Sequence, residues 1–156
     1  MENESGSLSR VVGLFSARGY NIESLSVAPT DDDSLSRLTL VTRGNEQVIE
    51  QILKQLNKLI EVVKVTDLSD FKHIEREMML IKLEAKQADS MAMIKQVADI
   101  FRGKVIDLSN KTFTIEISGN GEKLDAFIEA MSEHNILEVV RSGCIGLARG
   151  NVSLRV

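Results

Sequence analysis

Apolar residues recur along the chain with two different periods. Val48, Ile52, Leu56 and Leu59 fall on one face of a helix, and so do Leu124, Phe127, Ile128 and Met131. A short stretch of strand composition precedes each run: Leu38-Thr39-Leu40-Val41-Thr42-Arg43 in one place, Phe113-Thr114-Ile115-Glu116-Ile117-Ser118 in the other. Both stretches stop at Gly-Asn, at Gly44-Asn45 and Gly119-Asn120. After the helices, Ile60-Glu61-Val62-Val63-Lys64 matches Leu137-Glu138-Val139-Val140-Arg141. Upstream, Arg18-Gly19-Tyr20-Asn21-Ile22-Glu23 resembles Arg102-Gly103-Lys104-Val105-Ile106-Asp107, each opening a strand after a helix that stops at Gly. The chain is an internal repeat.

The second copy predicts a strand over 76–85, a helix over 89–101, strands over 104–109 and 112–118, a helix over 121–133 and a strand over 136–142. That order, βαββαβ, is the ferredoxin-like unit. The first copy predicts a helix over 7–18, strands over 21–28 and 35–43, a helix over 45–58 and a strand over 60–67. It lacks the opening strand, whose counterpart in the second copy is Met78-Met79-Leu80-Ile81-Lys82-Leu83. The opening strand of a βαββαβ sheet is an inner one, so backbone groups on both neighbours are expected to lack partners. The expectation is that the natural start lies upstream of Met1, and that the chain as it stands binds a small effector poorly. The fold class is therefore α+β, two ferredoxin-like units in tandem. The first covers 1–68 and is N-terminally incomplete; the second covers 74–156. Ser69 to His73, polar and without apolar period, is the expected linker.

Composition narrows the function. Hydrophobic residues make up 43% and charged residues 27% of the 156, as in ordinary globular proteins. Aromatics are only 4%, with no Trp, so the core is aliphatic and the six methionines fill it. The net charge of −4, with neither sign in a long block, argues against a nucleic-acid groove. Cys144 is the single cysteine and forms no internal disulfide. There is no signal peptide pattern and no apolar run of about 18–20 residues to span a membrane. A cytoplasmic protein is expected.

Two segments are candidates for ligand binding. Glu2-Asn3-Glu4-Ser5-Gly6-Ser7-Leu8-Ser9-Arg10 leads into the first helix. Ser5 or Ser7 can cap it, Gly6 permits close backbone approach, and a helix start with free N–H groups suits a carboxylate. An ordinary helix cap explains the same residues and is commoner. In the second segment, Asn21 at a strand start carries an amide able to meet an ammonium group, or simply tolerates a turn. Asp31-Asp32-Asp33 is a solvated hairpin loop rather than a metal site, lacking the glycine and distal glutamate of a calcium loop. His73 and His134 stand alone, and Cys144 sits between glycines without a sequence-adjacent base. Gly103, Gly119 and Gly121 form no dinucleotide fingerprint. Arg149-Gly150 and Arg155 make a modest basic end. No catalytic constellation emerges.

A resemblance adds to this reading. Asn3-Glu4-Ser5-Gly6-Ser7-Leu8-Ser9-Arg10-Val11, Gly13-Leu14-Phe15, Arg18 to Leu25, Val27-Ala28-Pro29-Thr30 and Ser36-Arg37-Leu38-Thr39 resemble the ACT domain of acetolactate synthase small subunits. Glu75 to Lys82, Ile100-Phe101-Arg102-Gly103, Lys123 to Phe127 and Arg141-Ser142-Gly143 to Arg149-Gly150 resemble that family's C-terminal domain. The resemblance implies a non-catalytic subunit that activates a separate large catalytic subunit and mediates feedback inhibition in valine, leucine and isoleucine synthesis. It implies a homodimer through the ACT domains, with valine at the interface. Asn3, Gly6, Ser7 and Leu8 match the loop and helix start used there; Asn21 and Ile22 match the strand start contributed across the interface. Thiamine diphosphate, magnesium and FAD would belong to the large subunit, with no cofactor in this chain. Alternatives are an amino-acid sensor acting on another enzyme or on transcription, separable by adding catalytic subunit, and a small ferredoxin-like hydrolase such as an acylphosphatase, for which neither copy offers the phosphate loop.

Overall fold

The computed structural model describes residues 1–85 and 87–154. They fall into two compact units: Met1–Ile74 together with Ile145–Val156, and Glu75–Cys144. Arg155 of the expected basic end lies outside the described residues.

The first unit runs α1 (Ser7–Ala17), β1 (Ser24–Pro29), β2 (Ser36–Val41) and α2 (Glu46–Leu56), then a 3-10 turn at Leu68–Asp70. β1 and β2 form an antiparallel hairpin with Leu25 opposite Leu40 and Val27 opposite Leu38. The core is small: Val11, Leu14 and Phe15 of α1 and Ile52 of α2 are buried, while Leu38, Leu40, Leu56, Leu59 and Val62 are only partly covered. Asn45 caps α2, its side chain accepting from Val48 N–H at 2.9 Å.

The strand expected over 60–67 does not form, and Ile60 is 86% exposed. The cause is the inner position of the sheet. Glu2 N–H donates to the Glu61 carbonyl (2.8 Å), Asn3 N–H to that of Ser34 (2.7 Å), and Ser36 N–H to that of Met1 (2.8 Å). Met1–Asn3 thus bridges the start of β2 and residue 61 for about one residue pair on each side. Among the described residues no strand continues that bridge, so 62–67 has no ladder to join.

The second unit has all six elements: β3 (His73–Glu84), α3 (Ala88–Ile100), β4 (Lys104–Leu108), β5 (Thr112–Gly119), α4 (Gly121–Ala130) and β6 (Ile136–Arg141). Its sheet order is β4-β5-β3-β6. β3 is inner, with Ile81 opposite Ile115 on one side and Val139 on the other. Met79, Ile81, Leu83, Ile115, Ile117, Ile94, Leu124 and Phe127 are fully or almost fully buried between sheet and helices. Asn120 caps α4 as Asn45 caps α2, accepting from Lys123 N–H at 3.2 Å.

Two boundaries differ from expectation. The second unit was expected to reach residue 156, yet residues from Ile145 onward group with the first. A further strand, β7 (Ile145–Ala148), lies against the 3-10 turn, Arg149 N–H donates to the Lys72 carbonyl at 2.7 Å, and Arg37 reaches the Leu154 carbonyl at 3.5 Å. The helix stops also differ between the copies. After α1 it is Gly19 that turns left-handed (φ 68°), but after α3 it is Arg102 (φ 58°) rather than Gly103. Gly103 is needed for closeness: a Cβ there would meet Ile115 Cγ2 at 3.1 Å.

Candidate functional site

The segment before α1 folds into an anion-ready helix start. Gly6 takes the N-cap position with φ 94° and ψ −17°, and no side chain caps the helix. Neither Ser5 nor Ser7 does the capping expected of it. Gly6 supplies the left-handed turn that an L-residue adopts only at a cost, and the space where its Cβ would stand is open. The Ser7 N–H donates to the Glu4 carbonyl at 3.2 Å, while no side chain claims the N–H groups of Leu8 and Ser9, which the helix dipole leaves electropositive. Ser7 is 1% exposed and its Oγ has no hydrogen-bond partner. Leu8, half-buried, adds an apolar flank.

Asn3 is held in place rather than free. Its Nδ2 donates to the Asp33 carbonyl at 2.8 Å and its Oδ1 accepts from Ser36 Oγ at 2.9 Å. It therefore clamps the loop before β2 beside the helix start. Two residues that the sequence reading did not single out complete this region. Arg10 pairs with Glu61 at 2.9 Å, and the second Glu61 oxygen, Oε2, is buried without a partner. Glu61 could have been noticed from the repeated Glu-Val-Val pattern, which puts a carboxylate at an otherwise apolar strand position.

Asn21 and Ile22 stand elsewhere. They precede β1 instead of opening it, since the strand begins at Ser24. The Asn21 carbonyl accepts from Thr42 Oγ1 at 2.6 Å, and its exposed side-chain amide has no hydrogen-bond partner among the described residues; Ile22 packs on the first core. The 11 residues of α1 separate this point from Gly6, about 16 Å at 1.5 Å per residue. The structure groups Asn3, Gly6, Ser7 and Leu8 at one end of α1 and Asn21 with Ile22 at the other.

The remaining candidates have ordinary surroundings. Asp32 accepts from the Ser34 hydroxyl and amide, which hold its carboxyl below the usual range. Among the described residues no group of three His, Cys, Asp or Glu side chains is placed to hold a metal ion. Burial, with Glu75 and Glu77 nearby, pushes the Cys144 thiol up, away from nucleophilic thiolate character. His73 Nδ1 lies 2.8 Å from the Phe71 carbonyl, a local contact, and His134 Nδ1 lies 3.3 Å from Ser90 Oγ, 44 positions away. No helix among the described residues is long and apolar enough to cross a membrane.

Comparison with known proteins covers both units. Residues 1–64 match the family model for the AHAS small subunit-like ACT domain, and 76–150 match that for the small subunit of acetolactate synthase. The chain is 54% identical to the acetolactate synthase small subunit of Haemophilus influenzae, across 99% of this chain and 94% of that one. It is 51% identical to the acetolactate synthase isozyme 3 small subunit of Escherichia coli, across 99% and 95%. A solved structure, the acetolactate synthase small subunit from Thermotoga maritima, superposes with a TM-score of 0.86 at 40% identity, covering 97% of this chain and 94% of that one.

Proposed function

The chain belongs to the acetolactate synthase small-subunit family, and we propose that its first unit is a valine sensor through which it controls a large catalytic subunit. It is a regulatory subunit of branched-chain amino-acid synthesis. On this reading the unit that opens the chain, residues 1–68, forms the ACT sensor, and the unit Glu75–Cys144 is the body of the C-terminal domain of the small subunit. The protein works in the cytoplasm as a homodimer. Asn3, Gly6, Ser7 and Leu8 of one copy and Asn21 and Ile22 of the other enclose the effector.

The observation that carries this reading is the uncapped start of α1. A valine carboxylate can take the N–H groups that no side chain claims, as anions do at helix N-termini. The free amide of Asn21 can accept from the ammonium group, and Leu8 and Ile22 give an aliphatic wall for the side chain. The separation of the two groups by the length of α1 is what a site shared between copies requires. Valine binding then favours one dimer arrangement over another, and the large subunit responds to that difference. Thiamine diphosphate, magnesium and FAD sit in the large subunit; the part of this chain is to raise its activity and to withdraw that support when valine binds.

Calorimetric titration tests the site, with valine added to this chain alone and to the chain carrying a supplied opening strand. In whichever form binds, Asn21→Ala and Gly6→Asp each weaken valine about ten- to a hundredfold, the loss expected of a hydrogen bond to a charged group. Activation of added large subunit stays largely intact. Unchanged valine binding in both variants removes the site assignment, and acetolactate formation by this chain without the large subunit removes the regulatory reading.

A further inference from the structure

The second unit carries an apolar edge that its own fold does not use. β4 is exposed along its whole length. Val105, Ile106 and Leu108 are 37%, 51% and 61% exposed, and Ile100 and Met93 on α3 beside them are 69% and 52% exposed. Met93 and Ile100 are seven residues apart, two turns along one face of the helix. An edge strand offers backbone groups for pairing as well as this apolar surface.

The charges on β4 distinguish it from the opposite edge. On β6, Glu138 pairs with Lys82 at 3.5 Å, and Arg141 pairs with Glu77 at 2.9 Å and Asp125 at 2.7 Å. Those charges are satisfied within the unit. On β4, Lys104 and Asp107 have no ion pair with any described residue. Both lie on the sheet face away from the helices: Lys104 is opposite Glu116 and Asp107 opposite Thr114, while the buried Ile115 and Phe113 face the helices. A bulge at Ile106 separates them.

We infer that β4 with the flank of α3 is a self-association edge, and that its partner is β4 of a second copy running antiparallel about a two-fold axis. One register brings Lys104 of each copy opposite Asp107 of the other. The same register sets Val105 against Ile106 and Leu108 against Gly103, and it joins the two α3 flanks into one covered apolar stripe. A parallel arrangement would set Lys against Lys and Asp against Asp, which is unfavourable. The bulge and the two charges, devices that discourage indiscriminate pairing, here leave one arrangement satisfied. A two-fold interface is the commonest form of self-association. This inference concerns a different unit from the proposed valine site and does not rest on it.

Site-specific cross-linking of the full chain reads this edge directly, whatever the first unit does. In a Cys144→Ser background, Ile106→Cys is expected to oxidise to an intermolecular disulfide, while Glu138→Cys on the opposite edge does not. Adding Asp107→Lys to Ile106→Cys slows cross-linking about tenfold, because two attractive cross-strand pairs become repulsive. Adding Lys104→Asp as well restores the rate, since the swapped pair is again complementary to itself. Cross-linking at Ile106→Cys no faster than at Glu138→Cys, or a rate indifferent to Asp107→Lys and its rescue, overturns the proposal. So does a disulfide at both edges, which would report unspecific collision.

Discussion

The two units have one plan and reach different degrees of completion. In the second, β3 lies between β5 and β6 and contributes Met79, Ile81 and Leu83, each 0% exposed. In the first, Met1–Asn3 alone stands in the corresponding place, and the buried core shrinks to four residues, Val11, Leu14, Phe15 and Ile52. The difference teaches where a βαββαβ unit gets its stability. An inner strand serves two ladders and one apolar face at once. Without its length, the outer segment 62–67 forms no strand, and the residues that would pack on that face stay half-covered. Helix and hairpin formation survive, because α1, α2 and β1–β2 close their hydrogen bonds locally.

The largest consequence is in the cost of core truncation. Phe127→Ala or Ile81→Ala empties space in a tightly packed cluster and is expected to destabilise the second unit by about 3–5 kcal/mol. Leu38→Ala removes side-chain surface that is only partly covered and should cost the first unit about 1 kcal/mol. Denaturant titration with a probe in each unit makes the comparison. Equal costs would mean that the first unit packs as fully as the second and would break the contrast.

Lengthening the inner segment sharpens it. Fusing an apolar strand with the pattern of Met78–Leu83 ahead of Glu2 offers partners to both neighbours of the inner position. Each buried backbone group so paired recovers about 1–3 kcal/mol. Hydrogen exchange of the chain as it stands should show strong protection over 76–142 and weaker protection over 7–67. The fused strand should raise protection over 36–41 and 62–67 and strengthen valine binding. A chain that binds valine equally well with and without it shows that the inner strand has no part in forming the site.

Much of this contrast was legible in the residues. All six elements of the second unit were expected within three residues of where they stand, because period and punctuation agree: Gly119-Asn120 ends β5 and caps α4. The alternating apolar residues of 60–67 gave an equally clear strand signal, and it failed because a strand needs a partner that its own residues cannot announce. β7 was missed for the converse reason. Ile145-Gly146-Leu147-Ala148 is too short and glycine-broken to read as a strand, and its pairing with β3 is what orders it. At the site, Gly6 was recognised as permissive, but the preference of serine for caps pointed to Ser5 or Ser7. The backbone turn at Gly6 took the cap position, left Ser7 buried, and left the helix start open. The Arg10–Glu61 pair was invisible because its partners are 51 positions apart.

That pair has a counterpart, and the two can be set against each other. In the second unit Arg141 uses both ends of its guanidinium, on Glu77 and on Asp125; the hydrogen bond to Glu77, helped by the one to Asp125, raises the Arg141 pKa above its ordinary value against the opposing effect of partial burial. In the first, Arg10 satisfies only one oxygen of Glu61. Removing either arginine leaves a largely buried carboxylate unpaired. Partial exposure reduces the cost well below that of a fully buried pair, to about 1–2 kcal/mol. Arg141→Met should cost more than Arg10→Met, since it breaks two contacts, and thermal unfolding of each unit reads the difference. Glu61→Gln should cost less than Arg10→Met, because the amide removes the unpaired charge along with the ion pair.

The smallest effect is the most controlled comparison. Asn45 and Asn120 are the same residue in the same motif, each at the N-cap of a helix after Gly, each accepting from the N–H three residues on. Replacing either with Ala removes one cap, worth about 1 kcal/mol. The local chemistry is identical, so any difference in outcome comes from the unit around it. In the second unit α4 is locked to the sheet by Leu124 and Phe127, and its start unfolds only with the whole. Asn120→Ala should therefore appear in full as lost global stability, with exchange near residues 121–124 still tied to global opening. In the first unit α2 buries only Ile52, so its first turn can open alone. Asn45→Ala should speed exchange at 46–49 while barely moving the unfolding midpoint. If both substitutions lower the midpoint equally, α2 is as firmly coupled to its sheet as α4, and the inner strand matters less to the first unit than its half-covered core suggests.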